Sequence, residues 1–124
     1  MKPRISDAEL AVMRLLWHHG RPLSYAEIRT ELEGQTGWNK STIQTLVNRL
    51  RDKGFINAQV HHVTLYTPNI SEQEHLNAEG KSLVNKLFDG SARNLAASLC
   101  RSGDLTAQDV EELRQFFRVE GPGA

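Results

Sequence analysis

Between Lys40 and Lys53 the sequence interleaves apolar residues with side chains able to read or hold a polyanion. Ile43, Leu46, Val47 and Leu50 fall at i, i+3, i+4 and i+7, the spacing of one helical stripe. Lys40, Ser41, Gln44, Thr45, Asn48 and Arg51 then share the opposite face, with Arg49 and Lys53 on its flanks. In a DNA major groove, amides pair with adenine edges, hydroxyls adapt to several bases, and basic side chains meet phosphates. The same residue types also make an ordinary solvated helix face, so this helix alone leaves the two readings balanced.

Other chemistry-bearing residues are sparse. His18-His19 and His61-His62 are adjacent pairs, and neighbours in sequence do not share a helix face. With no cysteine or i, i+4 partner beside them, a surface or wing-tip role is expected rather than a metal site. Cys100 is the only cysteine, which excludes an internal disulfide and any multi-cysteine centre. Its place on an apolar stripe predicts a buried thiol. Glu111 and Glu112 point apart on a helix and suit solvent rather than acid–base work. No grouping of nucleophile, base and orienting residue occurs, and no glycine loop could cradle a phosphate. The chain is therefore expected to be no enzyme and to need neither cofactor nor metal.

The elements that must position the 40–53 face are legible from their starts. Ser6-Asp7-Ala8-Glu9 is a capping box flanked by the staple pair Ile5 and Leu10. Met13, Leu16 and Trp17 continue that helix until Gly20 and Pro22. Ser24-Tyr25-Ala26-Glu27, between Leu23 and Ile28, starts a second helix that ends between Gly34 and Gly37. Asn39 caps the third, with Trp38 and Ile43 around it and Gly54 after it. Two short strands are expected at residues 55–60 and 63–67, around a His61-His62 turn and closed by Pro68. Helix, helix, helix, strand, strand is the winged helix-turn-helix plan. Beyond it, Ser71-Glu72-Gln73-Glu74 opens a helix to about Phe88, a shorter one carries Leu95, Ala96, Leu99 and Cys100, and Thr106-Ala107-Gln108-Asp109 opens a last one. The expected fold is mainly α with a small β-hairpin (α+β). Residues 1–70 would form the winged-helix domain and residues 71–124 a helical domain with a frayed tail.

The run Ile5-Ser6-x-Ala8-Glu9-x-x-Val12-Met13 through Trp17 comes first in a wider pattern. Trp38-x-x-Ser41-Thr42-Ile43-x-Thr45-Leu46-x-x-Arg49-Leu50-x-x-Lys53-Gly54-Phe55-Ile56 follows it. Together with Val84-Asn85-Lys86 and Asp104-Leu105-Thr106-x-x-Asp109-x-Glu111-Glu112-Leu113, this pattern resembles the penicillinase-repressor (BlaI/MecI/CopY) family along nearly the whole chain. The resemblance implies a dimeric winged-helix repressor of β-lactam-resistance or copper-handling genes, dimerised through its C-terminal helices. It places groove-reading residues at Ser41, Thr42, Gln44 and Thr45 and a backbone contact at Arg49. The basic residues usual in the family's wing are replaced here by Val60, His61, His62 and Val63, so wing contacts would rest on His61 and His62. Copper-responsive members carry clustered cysteines, which Cys100 alone cannot supply. Members that answer β-lactams are cut at an Asn-Phe bond in the dimerisation region, and the aligned bond here is Ser98-Leu99. The implied partners are double-stranded operator DNA, a second copy of the chain and a sensor protease.

Dimerisation also follows from the residues themselves. The segment after residue 70 has too few large apolar side chains to close a core of its own, and units this small bury only around 60% of their surface. Pairing two copies would bury Leu87, Phe88, Leu95, Leu99, Leu105, Val110, Leu113, Phe116 and Phe117 against one another, the alternative being that they fold back onto the winged domain. A zero net charge, from 15 basic and 15 acidic residues, argues at first against a polyanion partner. Residues 1–70, however, hold nine Lys or Arg against six Asp or Glu, and residues 71–124 hold six against nine. A second functional reading is a winged-helix module for protein–protein contact, but polar Gln44, Thr45 and Asn48 are poor anchors for one. No apolar run approaches the about 18 residues of a membrane span, and the start lacks the apolar run of a signal peptide. A cytoplasmic protein with no membrane partner is expected.

Overall fold

The structure, a computed structural model, describes the backbone of residues 3–120 and the side chains of residues 3–116. Of the tail expected to fray at residues 120–124, Glu120 is the last residue of a helix, while residues 121–124 and the Phe117 side chain lie outside the described residues. Six helices and three strands follow in the order α1 (Asp7–His19), β1 (Leu23–Ser24), α2 (Tyr25–Thr36), α3 (Lys40–Asp52), β2 (Ile56–Val60), β3 (Thr64–Pro68), α4 (Glu72–Leu87), α5 (Ala92–Ser102) and α6 (Ala107–Glu120) among the described residues.

The capping grammar becomes hydrogen bonds. Glu9 N donates to Ser6 Oγ at 3.1 Å while Ser6 N donates to Glu9 Oε1 at 2.8 Å. The same exchange joins Ser24 to Glu27, Ser71 to Glu74 and Thr106 to Asp109. Each cap satisfies amides that the first helical turn leaves without partners. At Glu27 the bond from Arg21 comes on top of the cap, and the two hold its carboxyl down to about 2. Gly20 ends α1 at φ 64°, a left-handed conformation that a side chain would strain.

The strands form one antiparallel sheet in the order β1-β3-β2. Ile56 pairs with Pro68 and Val60 with Thr64, so Pro68 is the last residue of β3 rather than a stop beyond it. The tip at residues 61–63 is closed by His61 N donating to Val63 O at 3.0 Å, which leaves β3 starting one residue later than the sequence suggests. Two-residue β1 was not anticipated. It pairs Leu23 with Tyr66 and Ser24 with Leu65, across more than forty residues of chain, and no local pattern carries that information.

Within Met1–Leu76 the core is continuous. Val12, Met13 and Leu16 of α1 meet Ile28 and Leu32 of α2, and Ile43, Leu46, Val47 and Leu50 of α3. Leu23, Ile56 and Tyr66 close it from the sheet. At roughly 1.5–3 kcal/mol for each large side chain fully buried, this cluster holds α3 against its scaffold. Internal packing divides the chain into Met1–Leu76 and Asn77–Ala124, with the division inside α4. The first turn of α4 belongs to the first unit because Trp17 Nε1 donates to Ile70 O at 2.9 Å and the Trp17 ring lies 5.6 Å from that of buried His75. Among the described residues, Asn77–Ala124 contributes no side chain to the buried core. Cys100, expected to be buried, is exposed. It lies in the last turn of α5, where Leu99, Arg101 and Ser102 are exposed as well, whereas the partly covered residues Leu95 to Ser98 precede it. No helix among the described residues is long and apolar enough to cross a membrane.

Candidate nucleic-acid interface

Helix α3 presents the two faces its sequence implies. Ile43, Leu46, Val47 and Leu50 are buried, whereas Lys40, Ser41, Thr42, Thr45, Arg49 and Arg51 are exposed and Gln44 and Asn48 half-buried. The helix starts at Asn39, whose Oδ1 accepts from Thr42 N at 2.8 Å. Tyr25, the first residue of α2, donates its hydroxyl to Lys40 O at 2.7 Å and ties the two helices at the turn between them. Burial pushes the Tyr25 hydroxyl above its ordinary pKa, which keeps the donor proton in place.

Several polar groups on the outward face already have partners. Thr45 Oγ1 donates to Ser41 O at 3.0 Å, leaving it only acceptor capacity and a methyl group to offer a ligand. Gln44 Nε2 donates to Asn48 Oδ1 at 3.0 Å, one turn along. Arg51 approaches Asp52 at 3.4 Å, so the C-terminal end of the face is electrically mixed. Arg49 and the Lys40 ammonium have no partner among the described residues and remain available to an anion.

Lys53 departs from its expected place on the flank. Its Nζ lies 2.7 Å from Glu9 Oε1 and 2.9 Å from Arg4 O, so it turns towards the start of α1 while its side chain stays partly exposed. Glu9 is only 1% exposed, and its Oε2 has no hydrogen-bond partner. Burial opposes its charged form, but the Lys53 ammonium and the Ser6 amide outweigh it and hold the carboxyl below its ordinary pKa. One carboxylate thus caps α1 and anchors the end of α3. The signal was present in the spacing: Lys53 falls three residues after Leu50 and seven after Leu46, at the edge of the buried stripe. The Tyr25 bond had no comparable signal.

The wing tip is exposed and carries no Lys or Arg: Val60 and Val63 stand open beside His61 and His62. At the other pair, His18 is exposed, while His19 Nε2 meets Glu31 Oε1 of α2 at 2.6 Å. No group of three or more metal-ligating side chains occurs among the described residues. In the C-terminal unit, Phe88, Leu95 and Leu105 are half-buried, and Leu87, Leu99, Val110, Leu113 and Phe116 are exposed. Ser98 and Leu99 lie inside α5, Ser98 on its partly covered side.

These features have counterparts in known proteins. The sequence profile of the penicillinase repressor family matches residues 5–118. The chain is 34% identical over 119 residues to the penicillinase repressor of Bacillus licheniformis, covering 93% of this chain and 90% of that one. It is 32% identical over 114 residues to the methicillin resistance regulatory protein MecI of Staphylococcus aureus (strain N315), covering 91% and 92% respectively. Among solved structures it is similar to the DNA-binding domain of the repressor BlaI, with 41% identity and a TM-score of 0.54 over 60% of this chain and 90% of that chain. It is also similar to monomeric Bacillus licheniformis BlaI in complex with the blaP half-operator, with 41% identity and a TM-score of 0.52 over the same shares. The winged helix-turn-helix built on α3 is thus the fold of a family, and the chain belongs to the penicillinase repressors.

Proposed function

We propose that this chain is a dimeric transcriptional repressor that inserts α3 into the major groove of each half of a palindromic operator. Lys40, Ser41, Thr42, Gln44, Thr45 and Asn48 face the groove in this reading, Arg49 holds a phosphate, and His61 and His62 lie where the wing meets the backbone. The observation that carries it is the outward face of α3, polar along its length and held by a closed core and by anchors at both ends. The relative solved with a half-operator supports the same docking.

Residues 71–124 act as the dimerisation domain and residues 1–70 as the DNA-binding domain. The exposed Leu87, Leu99, Leu113 and Phe116 support this, because side chains of that size left in water favour a second copy to cover them. The names of the relatives support control of a β-lactam-resistance operon, and a repressor of that kind would work in the cytoplasm, where its operator lies. A sensor protease would end repression by cutting near Ser98-Leu99. That bond lies within α5, so the helix must unwind locally before a protease can hold it extended. Selection of bound sites from a random DNA pool tests the central reading. A two-fold symmetric consensus with half-sites a whole number of helical turns apart is expected; recovery of no consensus would overturn it.

A further inference from the structure

We propose that Asn48 is a positioning residue for Gln44, and that the two amides together select an A·T pair at one position of each half-site. This deepens the operator-binding reading and rests on it. Positions 44 and 48 are one turn apart on α3 and stand over each other, and Gln44 Nε2 donates to Asn48 Oδ1 at 3.0 Å. Both side chains are half-buried, unlike their exposed neighbours Ser41, Thr45 and Arg49.

A glutamine amide free to rotate can present its oxygen to a donor or its nitrogen to an acceptor, and so accepts several bases. The bond to Asn48 favours one orientation, with the Gln44 nitrogen towards Asn48 Oδ1. It uses one of the two N–H groups of Gln44 and leaves the other, together with Oε1, for a bidentate pairing with adenine N7 and N6. Thr45 cannot substitute as a donor, since its hydroxyl proton goes to Ser41 O. Asn48 has two N–H groups of its own and a fixed place beside the same pair. Discrimination at this position therefore depends on a residue that need not touch the selected base.

The test uses the full chain, the operator obtained by selection, and duplexes carrying each of the other three pairs at the Gln44 position, compared at one salt concentration. The wild-type chain should prefer A·T by roughly 5- to 150-fold, the range of a good bidentate contact. Asn48→Ala should bring the four duplexes to within a few-fold of one another, and Gln44→Ala should do the same. The double variant should be no less selective than either single one. Asn48→Asp keeps the acceptor for Gln44, so it should keep the A·T preference while binding every duplex more weakly through phosphate repulsion. Asn48→Ala with an unchanged preference, or Asn48→Asp as unselective as Asn48→Ala, would overturn the proposal and leave operator binding standing. A wild-type chain with no sequence preference would overturn both.

Discussion

Replacing Lys53 by Met keeps the apolar stem and removes the ammonium, which leaves the Glu9 carboxylate facing Met in a site where it is 1% exposed. Only the Ser6 amide, at 2.8 Å, would still donate to it. Removing one partner of a fully buried ion pair costs about 3–5 kcal/mol, because the remaining charge is stranded. The Lys53 side chain is 32% exposed, so some water already reaches the pair, and a loss of about 2–3 kcal/mol is expected at neutral pH. The sign of the pH dependence is the sharper readout. In the native chain the Glu9 carboxyl is held below its ordinary value of 4.5. Its contribution is therefore present above that value and is lost as the pH falls through the folded-state value. In Lys53→Met only the bonds to Ser6 still oppose burial, so the folded-state value rises and the variant lacks stabilisation that the native chain gains as the pH rises. The stability gap should be widest near neutrality and narrow with falling pH, closing only below the native folded-state value. Adding Glu9→Gln should recover part of the loss by removing the stranded charge. Urea denaturation of native, single and double variants across this pH range measures all of it. A gap that stays constant with pH, or a Lys53→Met variant as stable as the native chain at pH 7, would refute the reasoning.

Arg49→Ala should weaken binding to all DNA sequences alike and reduce the slope of log affinity against log salt by about 1, as the loss of one phosphate contact requires. If base preference changes instead, Arg49 reads a base. Leu113→Asp combined with Phe116→Asp should sediment as a monomer and lose most of its operator affinity, since one half-site then binds without the other. Unchanged sedimentation would refute the assignment of that face. After inducer treatment, mass spectrometry should find the chain cut near Ser98; intact chain in cells whose target genes are derepressed would overturn the proteolytic route.

The elements readable from sequence are those whose causes are local. Ser6 with Glu9 and Ser24 with Glu27 announce helix starts because partners three residues apart make the cap, and the structure forms both. The Ile43 to Leu50 stripe announces the inner face of α3 and, by exclusion, its outer one. What stayed hidden depends on pairings between distant residues. Strand β1 exists only because β3 offers it an edge. His19 gains Glu31 from another helix, and Tyr25 reaches the Lys40 carbonyl, neither of which any spacing rule describes. Lys53 is an intermediate case. Its periodicity places it at the core edge, but a lysine beside an arginine-rich face reads as surface until the buried Glu9 is known. Likewise, the apolar residues of α5 and α6 are visible as a pattern, whereas which of them a single chain leaves open is set by packing.

A wing tip without Lys or Arg bears on how such a repressor would find its operator. A charged wing adds counterion release on every stretch of duplex, whatever its sequence, and prolongs each encounter. With Val60, His61, His62 and Val63 at the tip, no permanent positive charge is added there, and Lys40 and Arg49 on α3 carry most of that load. Stays on random DNA would be short, and sliding runs brief. Genome-wide search would then proceed mainly by release and recapture, sparing the protein from being held at the many competing sites of a chromosome.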